Sequence, residues 1–95
     1  MDGVDQAGEN ANARWMSIAY EAGCMVAETL SEFTTDDIWR VLDEEGVKTH
    51  DNRAMGAVIK NLKHDGWCRP TMRFVPSTRI SRHGAPIRRW KSLCG

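Results

Sequence analysis

The hydrophobic periodicity of this chain changes once, at Gly66, and that change narrows the architectures open to it. Before Gly66, apolar residues recur at spacings of three and four, the signature of helices with one buried face. After it come short β-prone runs separated by proline and glycine. Helices followed by strands predict an α+β fold. At 95 residues, the chain has material for one core and not two.

Trp15, Ile18, Ala22, Met25 and Thr29/Leu30 share a face, with Phe33 just beyond and Glu21 and Glu28 opposite, which predicts a first helix over about residues 12–31. Residues 1–12, acidic and rich in Gly and Asn, are expected to be a flexible leader to a domain spanning 13–95. The run Phe33-Thr34-Thr35-Asp36-Asp37-Ile38 is a helix start: a threonine caps orphan amides and two acids meet the positive end of the dipole. Phe33 and Ile38 suit a hydrophobic staple across that cap. The second helix is therefore expected over about 35–45, with Ile38, Val41 and Leu42 inward, Trp39 flanking and Gly46 as C-cap. Asp51 is the N-cap expected for a third helix over about 51–65, with Met55, Val58, Ile59 and Leu62 in the core and Gly66 closing it. Two strands follow, about 71–76 and 86–91, around a basic loop, with a further short strand expected at Trp67–Arg69.

The balance of 13 Lys+Arg against 13 Asp+Glu hides a polarity. Residues 1–45 carry 11 acids against Arg14 and Arg40, a net of −9. Residues 46–95 carry 11 cations against Asp51 and Asp65, a net of +9. Such asymmetry between halves points to a polyanionic partner such as nucleic acid.

Other classes find little in the sequence. No apolar run approaches the roughly 18 residues of a membrane span, and the acidic N-terminus is unlike a signal or transit peptide, so a cytoplasmic, nucleoid-associated protein is expected. Cys24, Cys68 and Cys94 are widely spaced and not at ligand spacing from His50, His64 or His83, which predicts reduced thiols and no metal or other cofactor. The pairs Asp36-Asp37 and Glu44-Glu45 do not converge, because neighbours on a helix point about 100° apart. With no phosphate loop and no nucleophile motif either, an enzyme is not expected.

Helices two and three form a helix-turn-helix candidate, and a basic hairpin directly after them is the addition that defines a winged helix. On helix three, the side opposite the core stripe holds Arg53, Ala57, Lys60 and His64, flanked by Gly56, Lys63 and Asn61, with no acid. Long cations around two small residues allow a helix to approach a groove closely while its ends reach phosphates and base edges. The hairpin adds Arg73, Arg79, Arg82, His83, Arg88, Arg89 and Lys91, and no acid occurs from Gly66 to Gly95. Arg79, Arg82 and His83 are expected near the loop tip, poised for a minor groove, where narrow tracts concentrate negative potential. Only one of Arg88 and Arg89 can face DNA, since neighbours alternate across a strand, and Arg88 is taken as that residue. Phe74 and Trp90 are expected to pack the hairpin onto the core. With about five phosphate contacts, log K falls with log salt at a slope of roughly −4.5.

Three stretches carry a family resemblance: Phe33–Trp39, Asp51–Val58 and Pro76–Ser92, the last reading Ser81-Arg82-His83-Gly84-Ala85-Pro86 at its centre. They resemble the small winged helix-turn-helix proteins of bacteriophages and prophages, over roughly residues 15–93. The resemblance implies a DNA-directed role, in transcription regulation or replication, with the third helix starting near Arg53 and the loop of the wing around His83. Double-stranded DNA is the partner expected. The rival expectation is an adaptor whose acidic half, with Glu21, Glu28, Glu32, Asp43, Glu44 and Glu45, docks a host or phage protein. A homodimer, or head-to-tail self-association between the −9 and +9 halves seen as salt-reversible oligomers, is a further expectation.

Overall fold

A computed structural model describes residues 3–48, 53–79 and 83–93, with side chains from Ala13 onward. In chain order the elements are α1 (Gly3–Thr29), β1 (Glu32–Phe33), α2 (Thr35–Glu44), α3 (Ala54–His64), β2 (Cys68–Pro76) and β3 (Pro86–Ser92). The strands form an antiparallel sheet in the order β1-β3-β2, with Phe33 opposite Trp90 and Phe74 opposite Arg88. Three helices and a three-stranded sheet make the α+β class expected from the change at Gly66.

α1 begins at Gly3, so the backbone of the expected leader belongs to the helix. No proline interrupts residues 3–12, and extending a helix already nucleated by packing costs only propensity. The buried stripe of α1 is also rotated from its expected position. Trp15, Ala19, Ala22 and Val26 are buried, Ile18 is half-buried, and Met25 and Leu30 are exposed. Gly23 explains the rotation. A Cβ there would stand 2.4 Å from Cδ1 of Leu62, itself fully buried on α3. The two helices meet along α1's small residues, and a periodicity read from large residues points to the wrong edge of that contact.

α2 starts as its sequence prescribes. The Thr34 N–H donates to the Asp37 carboxylate at 2.9 Å, and Phe33 and Ile38 are buried on either side of the cap. α2 and α3 both end on glycines of positive φ, Gly46 at 72° and Gly66 at 87°. The next residue in each case bonds back five residues, Val47 N–H to Leu42 carbonyl and Trp67 N–H to Leu62 carbonyl, both at 2.9 Å. α3 opens at Ala54 with Arg53 just before it, and the cap expected at Asp51 lies outside the described residues. Met55, Val58, Ile59 and Leu62 join Ile38, Leu42, Phe33 and Trp15 in the core.

The third strand is Glu32–Phe33 and not Trp67–Arg69. Trp67 stands in the turn after α3, and β2 runs on from Cys68 through Pro70. An edge strand accommodates proline because half of its amides point away from the partner. Regular pairing lapses between Pro70 and Phe74. Side chains make up the loss there: the Thr71 hydroxyl donates to the Arg89 carbonyl at 2.7 Å, and the Arg88 guanidinium to the Thr71 carbonyl at 2.5 Å.

One polar contact ties α1 to the end of α3. The Tyr20 hydroxyl donates to the Asp65 carboxylate at 2.5 Å. This hydrogen bond, with some desolvation, pushes the Tyr20 pKa up to about 12. The same bond, helped by His64, holds Asp65 below its ordinary value. A raised phenol pKa favours the neutral form, so its contribution to stability is complete below about pH 10 and is lost as pH rises through about 12. Tyr20 is the single tyrosine, so a phenolate absorbance titration reads it alone. The midpoint is expected near 12 and should fall toward 10 in Asp65→Asn; a midpoint indifferent to the substitution would refute the link.

Candidate nucleic-acid interface

Because α3 turns Met55, Val58, Ile59 and Leu62 inward, its remaining positions form one solvent-facing surface. Arg53, Gly56, Ala57, Lys60, Asn61, Lys63 and His64 all lie on it. The surface is open at Gly56, where a Cβ would find nothing within 4 Å. His64 is the least independent member, with Nδ1 3.4 Å from the Asp65 carboxylate.

A cleft of about 460 Å³ runs beside this surface. Its walls are the start of α2 (Thr35, Trp39), α3 (Arg53, Met55, Gly56, Ile59) and β3 (Pro86, Ile87, Arg88, Trp90). Arg88 sits over the Phe74 ring, 4.7 Å from its centroid, a stacking that orients the guanidinium without neutralising it. The fold thus brings Arg53 and Gly56 onto the same cleft as Arg88, from segments more than 30 residues apart.

Other expected site residues lie elsewhere. Arg79 does not reach from a loop tip. It lies over the Trp39 ring at 4.4 Å and 3.4 Å from the Asp43 carboxylate, with its side chain 25% exposed. Arg73 is engaged by Glu32, which also holds Arg89 at 3.1 Å, on the side of the sheet away from the core. Phe74 does not pack the hairpin down. It is 54% exposed beneath Arg88, whereas Trp90 alone of the two reaches the core. His83 is exposed at φ 50° before Gly84 at φ 77°, two consecutive positive values of the kind that tight hairpin turns require. Arg82 lies outside the described residues.

A residue read only as a helix-dipole partner has a larger part. Asp36 is buried, and its carboxylate accepts from the Ser77 hydroxyl at 2.9 and 3.0 Å, the Thr78 N–H at 2.7 Å and the Thr78 hydroxyl at 3.2 Å. These bonds fasten the base of the hairpin loop to the first turn of α2. Asp37, its neighbour, serves the cap instead. No local pattern announces this latch, because its partners are 41 and 42 residues away. Thr35, Trp39, Pro86 and Ile87 are likewise cleft residues that periodicity does not mark.

Among the described residues no cluster of His, Cys, Asp and Glu could hold a metal ion, and no helix is long and apolar enough to cross a membrane. No protein-family model matches the chain, and comparison with curated proteins and with solved structures finds no match either. What bears on function is the surface itself.

Proposed function

We propose that this chain is a winged helix-turn-helix protein that binds double-stranded DNA, of the kind used by bacteriophages and mobile elements in transcription regulation or replication. One observation carries the reading: an acid-free, exposed face of α3 shares a cleft with Arg88 of β3. The element order and the sheet order β1-β3-β2 suit a winged helix, with β2 and β3 as the wing.

In this reading α3 enters the major groove. Gly56 and Ala57 permit close approach, Asn61 addresses base edges, Arg53 and Lys63 address phosphates, and Lys60 spans a phosphate and the neighbouring base edge. Lysine suits the acceptors of guanine, and asparagine the donor and acceptor edge of adenine. Arg88 meets the backbone from the wing, and the loop around His83 approaches the minor groove. Arg73 and Arg79 support the wing through Glu32 and Asp43 and do not touch DNA. Four contacting cations, Arg53, Lys60, Lys63 and Arg88, give a salt slope of about −3.6. A single module of this kind binds non-specifically at ~10⁻⁴–10⁻⁶ M, so useful specificity calls for a dimer or a partner protein. The protein would act at the nucleoid in the host cytoplasm, as a binding protein without catalysis.

The test is selection from a random duplex library with single-stranded DNA and RNA as competitors. Enrichment of duplex with a salt slope near −4 supports the reading. Equal capture of single strands, or a slope near zero, overturns it.

One further observation favours the adaptor as a second reading. The rotation of α1 leaves a groove of about 230 Å³ against α2, lined by Met25, Val26, Thr29, Leu30 and Val41 and edged by Asp37, Arg40 and Glu44. An apolar groove on the acidic half suits a helix with apolar anchors and basic flanks. Retention of duplex binding in Met25→Lys/Leu30→Lys, with loss of a protein partner, would support both readings together.

A further inference from the structure

The two faces of the sheet differ in a way that the DNA-binding surface does not explain. Phe33 and Trp90 pair directly and turn toward the core, as do Phe74 and Arg88 toward the cleft side. Of the alternate positions on β3, Ile87 is buried at the cleft end, and Arg89 and Lys91 face outward. Glu32 pairs with Lys91, and Lys91 pairs on its other side with Arg69. Arg89 lies two residues from Lys91 on the same strand, and Arg89 and Arg73 both bond Glu32, which puts them on this outer face as well.

The outer face thus collects Arg69, Arg73, Arg89 and Lys91 around a single carboxylate. Arg73 and Arg89 share that carboxylate. Arg69 and Lys91 are exposed and directly opposite each other, and neither forms an ion pair among the described residues, although Glu32 stands across from Lys91 on β1. Like charges directly opposite each other weaken a strand pair. The one carboxylate opposite Lys91, Glu32, is already shared by Arg73 and Arg89, so the face keeps an excess of positive charge that a polyanion laid across it would offset.

The polyanion cannot be the duplex held at α3. That duplex lies on the cleft side of the sheet, where Arg88 lines the cleft with Arg53. Opposite faces of one sheet point in opposite directions, and DNA with a persistence length of about 150 bp does not double back over so short a span. We propose that the outer face, with Arg69 and Lys91 at its centre, binds the backbone of a second duplex segment, so that one molecule bridges two DNA segments. This rests on the DNA-binding reading of α3 and adds a second, sequence-independent contact to it.

The experiment uses a bead-tethered duplex, a second fluorescent duplex and the full chain. Wild type is expected to retain the fluorescent duplex on the beads. Arg69→Ala/Lys91→Ala should lose at least tenfold of that retention while binding a single duplex within twofold of wild type in a mobility-shift titration. Both side chains are exposed and their mutual repulsion is removed, so the variant is expected to melt no lower than wild type. Failure of wild type to bridge, while it shifts a single duplex, overturns the proposal and spares the α3 reading. Undiminished bridging by the variant also overturns it, and assigns bridging to a dimer with two α3 surfaces. Absence of any duplex binding by wild type overturns both.

Discussion

Replacing Arg53 and Lys60 together by alanine is expected to lower duplex affinity at least tenfold and leave the fold intact. Each cation that neutralises a phosphate displaces about 0.9 counterion, which near physiological salt is worth about 1 kcal/mol. Two such contacts amount to about 2 kcal/mol, or roughly thirtyfold, before any base contact by Lys60 is counted. Neither side chain has a part in the core: Lys60 is exposed in mid-helix, where alanine is the best helix former, and Arg53 precedes the helix. The slope of log K against log salt should flatten by about 1.8, which separates lost phosphate contacts from a general weakening. Unchanged binding in a mobility-shift titration, with a wild-type melting curve, would remove α3 from the mechanism.

Asp36→Ala is expected to cost about 2–3 kcal/mol of stability. The buried carboxylate accepts from Ser77 and Thr78, and Ser77 is itself buried, so truncation leaves a hydroxyl and an amide without their acceptor. Relief from burying a charge offsets part of this loss, which keeps the figure below the sum of the individual bonds. For a domain of this size the change corresponds to a fall in Tm of roughly 10–20 °C. Asp36→Asn keeps the shape and one acceptor oxygen and should retain about half of the effect. The latch also sets where the wing stands against α2, so Asp36→Ala should weaken DNA binding even well below its melting temperature. A melting curve that does not move would mean that the loop base is held by something other than this carboxylate.

The latch and the Glu32 bridge show where sequence reading stops. The core of α2 and α3 was legible at Ile38, Leu42, Met55, Val58, Ile59 and Leu62, because one period and one glycine-closed end describe each helix, whereas Val41, expected inward, is half-buried and Trp39, expected to flank the stripe, is buried. The exposed face of α3 followed from the same geometry. The wing cations did not sort themselves in the same way. Arg73, Arg79, Arg82, Arg88 and Arg89 look alike in a sequence, and any of 13 acids could serve them. Pairing with Glu32 and Asp43 is decided by the register of β1 on β3 and by the approach of the wing to α2, at separations of 36 to 57 residues.

What the sequence determined by itself is local: three helices, the N-terminal cap of α2, the glycine ends of α2 and α3, the change to strands at Gly66, and the division of charge into a negative and a positive half. Hydrogen bonds and side-chain contacts within a few residues produce the helices and their ends, and the charge division is composition alone, so nearby letters report them. The tertiary structure decided which face of α1 is buried, which strand completes the sheet and which arginines stay available to a partner. Those outcomes depend on close packing at Gly23 against Leu62 and on strand register, and both bring together residues whose relation no short window contains. The positive half is thereby divided further, into a cleft at α3 and an outer face on the sheet.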